Sequence, residues 1–269
     1  MSDTKRIAFE RSGHTAIVRF NRPEKMNALD MATFAEILQI QQEIAADNAI
    51  RVVVLTATGD NFCAGLDIQG VMTDPNAVET LLSQPEDYQL ADAKALGNYV
   101  QQVVVGWQQL KVPVIAALNG YVFGGGLQIA LAADFRIAHP ESQLSVMEIR
   151  WGIIPDMGIS VVAPSVVARD QLKMLAMTGE RISGARAEQI GLVTQVDAEP
   201  DDAALKLAEI LSDKNPQAVQ SIKQLFDSEN LSPSESLALE EKLQRQILFS
   251  PNQIEAVQAN LQKRQPEFS

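Results

Sequence analysis

Apolar and polar positions alternate over residues 7–10 and again over 15–20, with Ser12-Gly13 between them, which predicts two paired strands closed by Asn21-Arg22-Pro23. Helical spacing follows over 28–46, where Asp30 is placed to cap the first turn. Residues 51–57 (RVVVLTA) are built on the apolar run Val52-Val53-Val54-Leu55, the pattern of a strand covered on both faces. A loop carrying Cys63-Ala64-Gly65 comes next. Residues 70–90 are polar, contain Pro75 and Pro85, and read as a mobile insertion. A helix is expected over 91–110, a buried strand over 114–118, a glycine loop, a helix over 126–132, and short strands over 135–138 and 144–147. Beyond residue 160 the pattern turns helical. A helix over 185–190 ends at Gly191, a last strand spans 192–196, and four helices are expected over 201–211, 216–226, 234–249 and 252–264. The pattern divides the chain into a β/α core, residues 1–196, and a helical C-terminal region, residues 197–269.

One stretch imitates a membrane span. Residues 112–133 carry no charged side chain. Pro113, the turn signal Asn119-Gly120 and the triplet Gly124-Gly125-Gly126 argue instead for strand, glycine loop and helix.

Composition narrows the function. The chain has 269 residues, of which 46% are hydrophobic and 21% charged, so it has the apolar content to bury a core and is not a disordered chain. Its 22 Lys and Arg against 34 Asp and Glu leave a net charge of −12, which argues against a general nucleic-acid binder. One cysteine, Cys63, excludes an internal disulfide and a cysteine-based metal cluster. The two histidines, His14 and His139, leave no room for a His-rich metal site. The N-terminal residues have no apolar core of the signal-peptide kind, and a cytoplasmic address is the expectation.

The glycine triplet follows a buried strand and opens a helix. Glycine lets the backbone approach a ligand, and a helix N-terminus offers free N–H groups, so an anion or oxyanion site is one reading and tight strand–helix packing the other. No Gly-Lys-Ser/Thr follows, which excludes a nucleotide P-loop. Residues 61–67 likewise join a buried strand to a helix. Two such loops can aim two amides at one point, the usual way to hold an oxygen that turns negative during reaction. Cys63 in that loop reads as buried packing rather than a nucleophile, and Asp67 as a capping or ion-pairing residue rather than a base.

The strings Phe20-Asn21-Arg22-Pro23-Glu24-Lys25-Met26-Asn27-Ala28-Leu29, Phe62-Cys63-Ala64-Gly65-Leu66-Asp67-Ile68 and Asn119-Gly120-Tyr121-Val122-Phe123-Gly124-Gly125-Gly126 resemble the crotonase superfamily, the enoyl-CoA hydratase/isomerase family. Asp134-Phe135-Arg136-Ile137-Ala138 and Trp151-Gly152-Ile153-Ile154-Pro155 extend the resemblance in order along the chain. It implies an α/β fold, a spiral of repeated ββα units with an α-helical C-terminal trimerisation region. It implies an acyl-CoA thioester as substrate, assembly as a homotrimer or a dimer of trimers, and neither a metal nor a redox cofactor.

By the same resemblance the amides of Leu66 and Gly125 form the oxyanion hole. The two glutamates of the family's hydratases fall on Gln128 and Glu148. Glutamine exchanges no proton at neutral pH, so the two-glutamate arrangement is broken. Asp156, eight residues after Glu148, stands where dienoyl-CoA isomerases of the family carry an acid, although that branch has a further acid at the position of Gln128. Glu148 and Asp156 are therefore the expected proton shuttles, and double-bond isomerisation of an enoyl- or dienoyl-CoA the expected reaction. Hydration of a 2-enoyl-CoA is the alternative; another enolate reaction and non-catalytic acyl-CoA binding stand behind it. Substrate contacts are expected from Lys25, Ala64, Asp67, Ile68, Gln128 and Lys263, with Arg264 a further cation for CoA and Trp151 and Phe123 near the acyl group.

Overall fold

The computed structural model describes residues 5–85, 88–90, 93–228 and 231–269. Its strands are β1 Ile7–Ser12, β2 Thr15–Phe20, β3 Val52–Ala57, β4 Gln89–Leu90, β5 Ala93–Lys94, β6 Val114–Leu118, β7 Tyr121–Phe123, β8 Phe135–Ala138, β9 Gln143–Ser145, β10 Ile182–Ser183 and β11 Gln195–Val196. Its helices are α1 Met31–Ala46, α2 Ile68–Val71, α3 Pro75–Leu82, α4 Tyr99–Gln109, α5 Gly125–Leu131, α6 Ile159–Val162, α7 Arg169–Thr178, α8 Gly184–Gln189, α9 Pro200–Ser212, α10 Pro216–Asp227, α11 Pro233–Ile247 and α12 Pro251–Gln262. Single 3-10 turns stand at Pro23–Lys25 and Glu148–Trp151.

The larger sheet runs β1-β2-β3-β6-β8-β11. Only the β1–β2 hairpin is antiparallel; every later pair in it is parallel. The apolar run of β3 is explained by its two covered faces. Val53 and Leu55 join the main core with α1, α4 and α5. Val52 and Val54 point the other way, with Ile115, Ala117 and Ile137, onto Ala204 and Ala208 of α9. A strand buried on both sides has no polar face to alternate with. The first helix of the C-terminal region thus covers one face of the sheet.

The second sheet, β10-β9-β7, carries the site. Two isolated parallel bridges extend its reach, Cys63 with Val122 and Leu29 with Leu66. They bring the loop after β3 and the loop before α1 beside the glycine triplet.

Several boundaries differ from the sequence reading. α1 begins at Met31, not at residue 28, because Leu29 is taken up in its bridge and Asp30 forms a capping box with Thr33. Residues 70–90 are not one irregular insertion. Asp67 caps α2, Asp74 caps α3 with Pro75 in its first turn, and Val71, Ala77 and Leu81 face the core. Positions 86 and 87 of that stretch lie outside the described residues. α4 begins at Tyr99 instead of 91, since Asn98 and Gln101 form its capping box and β4 pairs with β5 ahead of it; positions 91 and 92 lie outside the described residues. Residues 112–133 form β6, β7 and α5, and no helix among the described residues is long and apolar enough to cross a membrane.

At the C-terminal end, α10 is fastened to the body by Lys223, whose ammonium lies 2.6 Å from a carboxylate oxygen of Asp134. Asp134 also accepts from the Val114 amide at 2.7 Å. Beyond that anchor, Phe226 on α10, Leu237 on α11, Phe249 in the link to α12 and Leu261 on α12 are exposed.

Candidate active site

Three backbone segments converge on a cavity of about 490 Å³. The first is residues 64–68. The second is the glycine loop opening α5. The third runs from Met147 through the 3-10 turn to Met157. α2, α3 and α4 close the apolar side with Ile68, Met72, Val78, Leu81, Leu82 and Val100. Ala64, Leu66, Gly125, Glu148, Trp151 and Asp156 all line it, as the sequence reading expects.

The backbone of the cavity floor is fixed by close approach. Cys63 donates to the carbonyl of Tyr121, and Phe123 donates back to Cys63. A side chain on Gly126 would meet Cys63 at 2.6 Å, and one on Gly125 would meet Met157 at 2.6 Å. Gly124 has a φ of +51° and packs against Gly65 and Glu148. The glycines therefore serve tight packing, and Gly124 and Gly125 put backbone on the cavity wall.

Two amides are presented by this arrangement. Leu29 accepts from Asp67 and donates to Gly65, so the Leu66 N–H between them turns away from the bridge. Gly125 is the first residue of α5, where an N–H has no partner within the helix. Among the described residues neither amide is hydrogen-bonded to protein, and both residues border the cavity. A carbonyl oxygen between them can accept two hydrogen bonds.

Glu148 is buried and is the first residue of its 3-10 turn. Its Oε1 accepts from Gln128 Nε2 at 2.6 Å, and its Oε2 is buried without a partner. Burial pushes its carboxyl above the ordinary range, and the neighbouring charge of Asp156 raises it further, against its own backbone N–H and Gln128, which lower it. Asp156 is also raised, by partial enclosure, its own N–H acting against this. The site thus holds two carboxyl groups that retain protons above the usual carboxylate range, beside two free amides. That is equipment for moving protons near a polarised carbonyl. Among the described residues no cluster of His, Cys, Asp and Glu can hold a metal ion.

The remaining sequence candidates are placed differently. Gln128 is buried behind Glu148 and is not part of the cavity lining. Asp67 is turned from the cavity: it caps α2 and pairs with Arg22 at 2.8 Å, which hold its carboxyl below the usual range in spite of partial burial. Ile68 lines the apolar wall. Lys25 is exposed on its 3-10 turn, next to Met26, whose carbonyl accepts from Ala64. Lys263 ends α12 and lines no part of this cavity, and Arg264 is paired with Glu255. Phe123 is buried under the guanidinium of Arg181, 4.8 Å from its ring centre, and is not part of the cavity's apolar wall. Cys63 is fully buried with its thiol pushed up to about 12, which fits packing and not nucleophilic attack.

Sequence reasoning missed two residues: Met157, which lines the cavity, and Asn27, which lies outside it and holds two of the loops behind it. The Asn27 side chain is buried, accepts from the Arg22 amide at 2.7 Å, and donates to the carbonyls of Thr58 and Asn61 at 3.0 and 2.7 Å. It stitches the loop before α1 to the loop after β3. The signal lay in an asparagine inside a Pro-Glu-Lys-Met-Asn string, where left-handed backbone is common; its φ is +56°.

The sequence profile described as enoyl-CoA hydratase/isomerase matches residues 10–269. The chain belongs to that family, within the crotonase superfamily. It is 33% identical over 222 residues to an (E)-benzylidenesuccinyl-CoA hydratase of Thauera aromatica, covering 81% of this chain and 80% of that one. It is 29% identical to a peroxisomal Delta(3,5)-Delta(2,4)-dienoyl-CoA isomerase of Arabidopsis thaliana, over 93% of this chain and 90% of the relative. The crystal structure of an enoyl-CoA hydratase from Bacillus anthracis superposes with a TM-score of 0.88 at 28% identity, covering 98% of each chain.

Proposed function

We propose that the enzyme isomerises the double bond of an enoyl- or dienoyl-CoA. The observation that carries this reading is the pairing of Glu148 with Asp156 in one cavity while an amide, not a carboxyl, occupies position 128. The thioester carbonyl accepts from the Leu66 and Gly125 amides. One carboxylate removes a proton from the carbon chain, the electron pair delocalises into the thioester as an enolate, and a carboxylic acid returns a proton further along the chain. In this two-carboxyl shuttle one group is ionised and the other protonated when substrate binds, and the protein is restored because nothing is added overall. Both groups hold a proton more readily than an ordinary carboxyl, Glu148 and Asp156 each through burial, which suits them to proton transfer. Loss of one oxyanion donor is worth about 10²–10³ in rate.

The apolar wall of Ile68, Met72, Val78, Leu81, Leu82 and Val100 is suited to the acyl chain. Lys25 serves the CoA phosphates, and Lys263 does so from a neighbouring subunit of a homotrimer or dimer of trimers in the cytoplasm. The exposed Phe226, Leu237, Phe249 and Leu261 support that assembly.

Hydration is the second reading, favoured by the resemblance to the Thauera aromatica hydratase. Incubation with 2-enoyl-, 3-enoyl- and 3,5-dienoyl-CoA in heavy water separates the two by mass and ultraviolet absorbance. A moved double bond, with deuterium exchange and no added mass of water, is the expected result. Net gain of one water overturns isomerisation in favour of hydration.

A further inference from the structure

Gln128 is bonded at both ends. Its Oε1 accepts from the Met157 amide at 3.0 Å, and its Nε2 donates to Glu148 Oε1 at 2.6 Å. The direction of both bonds is forced. A backbone N–H only donates, so the atom facing Met157 is the carbonyl oxygen, and the NH₂ group must face Glu148. Glu148 Oε1 is thereby held as an acceptor. A proton on the lone pair facing that NH₂ would set hydrogen against hydrogen, which leaves Oε2, without any partner, as the oxygen open to a proton.

We propose that Gln128 is a positioning residue that fixes one orientation of the Glu148 carboxyl, assigns its proton to Oε2, and ties that orientation to the loop bearing Asp156. The tie is short: Met157 follows Asp156 directly, and its side chain presses on Gly125, whose amide faces the cavity. One buried amide thus couples both carboxyl groups and one oxyanion donor. A glutamate at position 128 would retain the acceptor for Met157 but place a second carboxyl against Glu148, and the two would have to share a proton.

Few other charges bear on Glu148. α5, Gly125–Leu131, carries no titratable side chain. The loop after β3 offers the buried thiol of Cys63 and Asp67, which is paired with Arg22. Tyr99 stands at the start of α4, raised by burial. Arg150 on the same 3-10 turn and Arg169, Asp170 and Lys173 on the adjoining α7 are exposed. Asp156 is the charged neighbour that acts on it.

The proposal deepens the reading of Glu148 as a proton-transfer group and is tested without requiring it. The carboxyl stretch of Glu148 is followed by infrared difference titration of the full chain, the band being assigned by its loss in Glu148→Gln. In Gln128→Met the midpoint is expected to rise by about one pH unit, a tenfold gain in proton affinity. In Gln128→Glu it is expected to rise further, with the Met157 contact retained. Turnover in both is expected to lose kcat about tenfold or more, with KM changed less than about twofold and the acidic limb of the pH–rate profile moved upward. Unmoved midpoints and an unmoved acidic limb in folded variants would overturn the proposal. If Gln128→Met does not fold, Gln128→Glu, of nearly identical shape, carries the test. Full turnover by Glu148→Gln would instead defeat the catalytic reading, while the infrared midpoints would still decide the role of Gln128.

Discussion

Gln128 donates a 2.6 Å hydrogen bond to Glu148, and both side chains are buried. The relationship satisfies one carboxylate oxygen and leaves the other without a partner. A stability-driven interior would not retain that second oxygen, because an unsatisfied buried acceptor is costly. Its presence beside two free amides marks the cavity as built for chemistry.

Replacing Glu148 by Gln separates activity from stability. Turnover is expected to fall by about 10²–10⁴, the usual weight of a positioned acid or base. The melting temperature moves the other way. Burial holds the Glu148 carboxyl above its unfolded value, so its ionisation opposes folding. That cost is absent below the unfolded-state value, grows as pH rises from there, and levels off above the folded-state value. The variant is therefore expected to melt with the parent near pH 4 and a few degrees above it at pH 8, as calorimetry at both pH values checks.

Gly125→Ala places a methyl group 2.6 Å from Met157 Sδ and 2.9 Å from Leu29 Cδ1. The amide of residue 125 must shift, and kcat is expected to fall by about 10²-fold. Met157→Ala in the same chain removes the nearer obstacle and is expected to return part of the loss. Strictly additive effects of the two changes would show that the contact does not set the amide's position.

Asn27→Ala removes three hydrogen bonds and leaves the Thr58 and Asn61 carbonyls and the Arg22 amide without this partner. A destabilisation of about 1–3 kcal/mol is expected in urea titration. Because the adjoining Met26 carbonyl holds Ala64, kcat is expected to fall as well. Unchanged turnover in the folded variant would separate this stitch from the oxyanion loop.

Cys63 is expected to resist alkylation at pH 8 in the folded protein and to react fully in denaturant. Its thiol is enclosed and pushed up to about 12, so little thiolate forms. Rapid native labelling, followed by mass spectrometry, would contradict the packing assigned to it against Gly126.

Local pattern determined much of this protein from the residues alone. β6 throughout and β3 in all but Thr56 are apolar because both of their faces are covered, and contiguous burial leaves no freedom for polar alternation. The glycine loop was recognisable because close backbone approach excludes every other side chain. The strings over residues 20–29, 62–68 and 119–126 carry the family resemblance, and the cavity wall includes Leu66 and Gly125 from the last two. Over residues 70–90 the sequence alone does not show the helices, because prolines and polar residues mark helix starts as well as loops; Asp74 and Pro75 start α3 here. Asp67 and Gln128 were expected as substrate contacts, yet one is held by Arg22 and the other stands behind Glu148. Only the tertiary structure decided these. Gln128 meets partners 20 and 29 residues away, and a hydrogen bond's direction depends on which donor and acceptor the fold brings together, a fact that no local spacing contains.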